Sequence, residues 1–86
     1  MQPKYFRIEQ NGVKFRAIGV VNALEQHELC LSKSALGSHE YFFLPDLGED
    51  LGLFEVKARF RKLKHAKRAI REAYGYNIEI REPEFH

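Results

Sequence analysis

A run of basic residues between Lys57 and Arg71 is the part of this sequence whose residue types are best suited to chemistry. Eight lysines and arginines occur in the run without a carboxylate between them. Such side chains bind phosphate groups, and phosphate contacts give affinity for nucleic acid of any sequence because condensed counterions are released. The run therefore predicts contact with a polyanion, of which nucleic acid is the natural example.

The spacing of these residues assigns four of the eight to one side of a helix. Residues separated by three, four and seven positions lie on the same helical face. The residues that we predict to contact phosphates are Lys64, Lys67, Arg68 and Arg71 on the helix, extended by Arg59 and Arg61 on the strand before it. The apolar residues Leu63, Ala66, Ile70 and Ala73 then form the face that packs on a sheet. We call the four helical cations the basic stripe.

The charge balance leaves two other interpretations of the basic stripe open. The run contributes +8, while the remaining six basic and twelve acidic residues sum to −6, which gives the overall +2. A chain polarised in this way also suits a protein-interaction module, an inhibitor or adaptor that docks on an acidic partner surface. In the other interpretation, the stripe is a solvent-exposed helix face that binds no partner, since basic runs alone are weak indicators of function.

No pattern of titratable residues predicts catalysis or metal binding. Cys30 has His27 three residues before it, and His39 follows, but this spacing also arises from packing, and no fourth metal ligand with a known spacing exists. The acidic residues of the 46–50 segment lack the ligand periodicity of a calcium loop. We therefore expect a binding protein without enzymatic activity, metal or cofactor.

Length and composition predict one domain, residues 1–86, in a reducing compartment. The chain has 86 residues with 44% hydrophobic and 13% aromatic content, enough for one modest core. A single cysteine excludes an internal disulfide. No apolar segment is long enough to span a bilayer, so we expect a soluble cytoplasmic protein without membrane association.

The elements that must position the basic stripe begin with a β-hairpin. Strands 4–10 and 13–21 flank Asn11-Gly12, a dipeptide typical of a type I′ turn. This turn pairs Phe6 with Ala17 and Ile8 with Phe15. It also sets Arg7 directly across from Arg16, a like-charge pair that we expect to splay into water. The predicted core face of the hairpin comprises Phe6, Ile8, Val13, Phe15 and Ala17.

The segment from Asn22 to Leu36 carries signals for two structures. Asn22 with Glu25 three residues later resembles a helical capping box, and Gly37 would end the helix. The alternation of Leu29 and Leu31 around Cys30 is instead typical of a strand. We favour the helix and keep the strand as the alternative.

The rest of the chain predicts strand, strand, helix, strand. Glu40–Leu44 is an aromatic strand, followed by a loop joining it to an antiparallel strand over 53–61. A helix over 62–74 ends at Gly75, and Tyr76–Arg81 alternates as a last strand. A single helix from Asp50 to Tyr74 is the alternative for this region.

The full prediction is an α+β fold of ββαββαβ order. It combines an N-terminal β-hairpin with a split-βαβ-like sheet that has both helices on one face. An unpaired edge of this sheet could join two copies into a homodimer.

Overall fold

One mixed β-sheet with a helix on one face makes up the computed structural model, which describes residues 2–33, 39–43 and 54–83. The elements in chain order are β1 (Tyr5–Asn11), β2 (Lys14–Asn22), β3 (Glu25–Lys33), β4 (His39–Phe43), β5 (Phe54–Lys57), α1 (Leu63–Tyr74) and β6 (Glu79–Arg81). The strands are ordered β4-β3-β2-β1-β6, and β5 pairs with β3. The α+β class is as predicted.

The first hairpin forms, but its turn lies one residue later than predicted. Asn11 pairs with Lys14, so Gly12 and Val13 are the central residues. Gly12 has a φ of +66°, and no other residue than glycine has a positive φ in the described ranges. These φ signs belong to a type II′ turn with glycine at its first central position, not to type I′. Val13 is consequently 82% exposed in the turn instead of lying in the core.

The later turn changes every cross-strand partner, but apart from Val13 in the turn itself the residues of the two strands keep their predicted faces. Phe6 pairs with Gly19 instead of Ala17, and Ile8 pairs with Ala17 instead of Phe15. One residue moves on each strand, so the pairing shifts by two positions and the alternation of faces is preserved. Phe6, Ile8 and Ala17 are buried as predicted.

The segment from Asn22 to Lys33 is not a helix. It forms the end of β2, a turn at Ala23-Leu24 and the strand β3, which was the alternative interpretation. The Oδ1 atom of Asn22 accepts a hydrogen bond of 2.8 Å from the backbone N–H of Leu24. An asparagine that bonds the backbone two residues on stabilises a turn, and the same chemistry produces the capping-box signal. The predicted ββαββαβ order is therefore wrong, because the described residues contain only one helix.

Strand β3 changes neighbours along its length. Its first half pairs with β2, and its second half lies between β4 and β5. The chain after β5 crosses to β2, where Phe15 and Phe60 exchange backbone hydrogen bonds of 2.7 and 2.9 Å. This segment fills the gap in which β2 and β3 diverge, and it brings the start of α1 beside the sheet.

The predicted strands Glu40–Leu44 and 53–61 correspond to β4 and β5, but their relation differs from the prediction. Both are antiparallel to β3 on its opposite edges, so they run parallel to each other. They were expected to be antiparallel partners. Because β3 is a strand and not a helix, it occupies the place between them. The loop expected at 46–52 lies outside the described residues.

Helix α1 follows the prediction closely, whereas the last strand forms over only the second half of its predicted range. The helix ends at Tyr74, and Gly75, with a φ of +97°, donates its N–H to the carbonyl of Arg71 at 2.8 Å. Because 54–57 is a strand, the alternative of one long helix from Asp50 is wrong. Strand β6 is shorter than predicted and pairs in parallel with β1. A crossover through α1 makes this parallel pairing possible.

The core lies between α1 and the sheet face that carries the odd-numbered residues of β2 and β3. Ala66, Ala69 and Ile70 are the buried residues of the helix, whereas Ala73, expected inside, is exposed. The residues that form one buried cluster with them are Phe6, Ile8, Ala17, Leu29, Ala58 and Phe60, and Phe43 is also fully buried. In the described part of the chain, no helix is long and apolar enough to cross a membrane.

Candidate nucleic-acid interface

Helix α1 begins without the features that usually stabilise a helix start. Its N-cap residue, Lys62, is extended, and its side chain makes no capping hydrogen bond. The first turn contains no acidic residue, and Lys62 and Lys64 carry positive charge to the positive end of the helix dipole. Each of these features destabilises the isolated helix, so packing on the sheet must stabilise α1.

The structure places the basic stripe on one flank of α1. Lys64 and Arg68 are exposed, while Lys67 and Arg71 are half-buried at the border with the core. At 3.6 residues per turn, the four positions cover roughly a third of the helix circumference. Lys67 forms an ion pair with Glu82, with Nζ 3.2 Å from Oε1. Its charge is therefore partly neutralised within the chain.

Arg61 and Arg59, the two predicted strand cations, lie in different surroundings. Arg61 is exposed in the turn before α1 and has no ion pair with a described carboxylate. The guanidinium of Arg59 donates to the carboxylate of Glu28 and to the carbonyl of Ala58. Glu28 lies on the sheet face opposite the helix, because its neighbour Leu29 is buried in the core. The structure does not bring Arg59 together with the helical cations.

A network of ion pairs covers the sheet face away from the helix. Glu9 binds both Arg7 and Arg16, each at 2.5 Å, and Arg16 also lies 4.0 Å from Glu28, which binds Arg59. We call these five residues the sheet ion network. Contrary to the prediction, Arg7 and Arg16 are not directly opposite each other, because the observed register sets Arg16 opposite Glu9. Hydrogen bonds from Arg16 and Arg7 lower the pKa of the Glu9 carboxyl.

Most cations on α1 and in the turn before it are not paired in this way. Five of them make no ion pair with any carboxylate of the described residues: Arg61, Lys62, Lys64, Arg68 and Arg71. We call this group the helix cation cluster. Its potential acts on His65, whose pKa is lowered by partial burial and by the charges of Arg68, Lys64 and Lys62. Positive charge is therefore concentrated here without an ion-pair partner among the described residues.

A cleft beside the helix cation cluster was not foreseen from the sequence. It has a volume of about 290 Å³ and is lined by Tyr41, Phe60, His65, Arg68, Ala69 and Glu72. The rings of Tyr41 and Phe60 are in contact, with centroids 5.9 Å apart and planes tilted by 35°. Sequence periodicity identified an aromatic strand around Tyr41, but only the sheet order brings that strand beside α1.

Cys30 and His27, two of the residues considered for catalysis, do not form a reactive pair, and the side chain of the third, His39, lies outside the described part of the chain. Cys30 is buried, and its Sγ lies 3.6 Å from the carbonyl oxygen of Glu28. His27 lies on the other face of β3, where its ring contacts Phe43 at a centroid distance of 5.4 Å. Within the described ranges, no group of three or more His, Cys, Asp or Glu residues is arranged to hold a metal ion.

Comparisons of the chain with protein-family models, with curated proteins and with solved structures found no match.

Proposed function

We propose that this protein binds nucleic acid through phosphate contacts made by the helix cation cluster. One contrast carries the proposal. Arginines on the sheet face away from the helix are paired with the chain's own glutamates, whereas the five cations of the helix cation cluster have no such partner in the described residues. Unpaired cations on neighbouring helical turns repel one another, and a bound polyanion would remove that repulsion.

The dimensions of the cluster suit a phosphate backbone. Its residues extend from Arg61 to Arg71, a distance of about 15 Å at 1.5 Å per helical residue. Successive phosphates of one strand of duplex DNA advance about 3.4 Å along the axis, so several phosphates would lie within reach. Lys67 and Arg59 contribute less, because Glu82 and Glu28 already bind them.

The proposal is tested by fluorescence anisotropy with a labelled oligonucleotide at salt concentrations from about 50 to 200 mM. Contact with five phosphates gives a slope of log affinity against log salt near −4.5 for a duplex, at about −0.9 per phosphate. Replacing Lys64 and Arg68 together by glutamine should reduce the steepness of that slope by about 1.8. A salt-independent affinity, or no binding at low salt, contradicts the proposal.

A matched control removes the same charge elsewhere. Lys4, which precedes β1, and Lys14, the first residue of β2, are exposed cations outside the helix cation cluster. The double variant K4Q/K14Q has the same net charge as K64Q/R68Q and should retain the wild-type salt slope. Equal weakening by both double variants would show a response to net charge alone and would contradict a site on α1.

An acidic protein surface is the competing ligand for the same cations, since it also presents carboxylates to unpaired lysines and arginines. Purification with and without nuclease separates the two cases. Nucleic acid that elutes at high salt, seen in the absorbance ratio, supports the proposal. Recovery of one stoichiometric protein despite nuclease treatment, with no oligonucleotide affinity, supports the protein partner instead.

A further inference from the structure

We infer that the cleft lined by Tyr41, Phe60, His65, Arg68 and Glu72 receives one unpaired nucleobase that carries an exocyclic amino group, which makes the protein selective for single strands. This inference rests on the proposed function and specifies its ligand. We call this site the base cleft.

The size and walls of the base cleft fit a single ring system. Its volume of about 290 Å³ is at the lower end of the range of small-molecule sites, about 300–1,000 Å³. One wall is aromatic: Phe60 is 8% exposed and fixed in the core, and Tyr41 is half-buried against it. Aromatic side chains of this kind provide stacking surfaces for bases that are not paired in a duplex.

The base cleft is continuous with the phosphate-binding surface. Arg68 belongs to both, since it lines the cleft and is a member of the helix cation cluster. Lys64 lies one helical turn before Arg68. A phosphate held by these two cations therefore positions its own nucleotide beside the cleft. A base in a duplex cannot leave its partner without an unpairing cost, so the arrangement favours single strands.

The polar rim indicates which bases fit. Glu72 lies four residues after Arg68, and makes no ion pair with a described residue. A carboxylate at the rim of a phosphate-binding surface repels phosphate but accepts hydrogen bonds from an exocyclic amino group, as glutamate does from cytosine N4. Thymine and uracil present a carbonyl oxygen at the equivalent position and would face the carboxylate without a proton. Cytosine should therefore bind better than thymine.

His65 also lines the base cleft, and near neutral pH its imidazole is suited to hydrogen-bond to the edge of a bound base. Its lowered pKa favours the neutral imidazole, which has one donor and one acceptor nitrogen for a base edge. The charged groups around it are Lys62, Lys64 and Arg68, and Glu72, two turns further along the same helix, lines the same cleft.

The test compares labelled oligo-dC, oligo-dT and a duplex of the same length by anisotropy at one salt concentration and pH 7.5. The wild type should bind oligo-dC most tightly. Replacing Tyr41 by leucine should weaken single-strand binding by about 5- to 100-fold with an unchanged salt slope, while Tyr41→Phe, which keeps the ring, should bind like the wild type. The variant Glu72→Gln should bring the dC and dT affinities together, because an amide can also donate to thymine O4.

The outcomes separate this inference from the proposed function. Equal affinity for single strand and duplex with a steep salt slope would support the phosphate contacts but contradict base binding in the base cleft. Retention of full affinity by the Tyr41→Leu variant would overturn it as well. Failure to bind any oligonucleotide would overturn both. Far-UV circular dichroism verifies that Tyr41→Leu is folded, and Glu72→Gln, an exposed helical substitution, provides an independent test of selectivity.

Discussion

At the scale of single residues, Gly19 is the position where the core leaves least freedom. A Cβ atom there would lie 2.5 and 2.8 Å from two ring atoms of Phe43 and 3.0 Å from Cε1 of Phe6. Both rings are fully buried, so neither can move away freely. We expect Gly19→Ala to lower the free energy of unfolding by about 1–3 kcal/mol, as overpacking does. Urea unfolding measures this change.

The control for Gly19 uses a double-mutant cycle with Phe43→Leu. Shortening Phe43 creates a cavity in the wild type but relieves the clash in the Gly19→Ala background. Phe43→Leu should therefore cost less stability in the variant than in the wild type. Additive effects of the two substitutions would show that the Phe43 ring does not determine the need for glycine.

We expect the Glu9 carboxylate to make the free energy of unfolding depend on pH. Its pKa is lowered in the folded protein by Arg16 and Arg7 from the usual 4.5, so its carboxylate stabilises the fold above that pH and loses the effect as pH falls through the lower, folded value. We expect Glu9→Gln to cost about 0.5–1 kcal/mol at pH 7, since the pair is partly solvent-screened. The difference from the wild type should close in strong acid.

Urea unfolding of the wild type and Glu9→Gln at pH 7 and at successively lower pH into strong acid tests this expectation. Glu72→Gln is the control, because Glu72 is exposed and makes no ion pair with a described residue. Its difference from the wild type should be small at each pH value. A Glu9→Gln difference that is constant with pH would contradict the assignment of the stabilisation to the carboxylate.

At the scale of elements, we expect the start of α1 to affect both stability and the proposed binding of nucleic acid. Lys62 is an N-cap without a side-chain acceptor, so Lys62→Ser should stabilise the protein by about 0.5–2 kcal/mol through a new capping bond. The same change removes a member of the helix cation cluster and should weaken oligonucleotide binding. Thermal unfolding and anisotropy measure the two effects.

Lys62→Ala is the matched control for this substitution, since it removes the same charge without adding a capping oxygen. Both variants should bind oligonucleotide equally weakly, but only the serine variant should gain the stability of a cap. Equal stability of the two would mean that the helix start is not limited by its missing cap.

The two errors in predicting the elements have a common physical origin. The Asn22–Glu25 signal was read as a helix cap, whereas the asparagine stabilises the turn before β3. The Asn11-Gly12 turn was displaced by one residue, because the displaced register sets Glu9 opposite Arg16 and leaves Gly19 beneath Phe43. The turn-forming residues are the same in the predicted and the observed structures, so they do not distinguish between the two. Contacts between residues distant in sequence determine which structure forms.

The same distinction applies to the candidate site. The basic stripe is a local pattern on one helix, and its placement on one flank of α1 follows from spacing alone. The pairing of Arg59 with Glu28 and the approach of Tyr41 to α1 depend on which strands neighbour β3. A strand read as a helix hides those neighbours, so neither the loss of Arg59 nor the base cleft could be derived from the sequence.

At the scale of the whole molecule, charge is organised by face. The sheet ion network balances three arginines with two glutamates, and α1 presents the helix cation cluster on another side of the molecule. This layout exists only in the folded chain. An unfolded chain still carries the basic run, but it no longer holds the cations on one helical flank.

Thermal stability therefore distinguishes binding to the folded surface from binding to the basic run as a flexible polycation. A ligand that binds only the folded state stabilises it by about 2.7 kcal/mol when present at 100 times its Kd. For a domain of this size, that corresponds to a rise in Tm of roughly 10 °C or more, with a single-stranded oligonucleotide as the ligand. The K4Q/K14Q variant should show the same rise, and K64Q/R68Q a much smaller one at the same oligonucleotide concentration. A Tm that falls on adding oligonucleotide would show that the unfolded chain is the tighter binder, in which case the arrangement of cations on α1 would not be the recognition element.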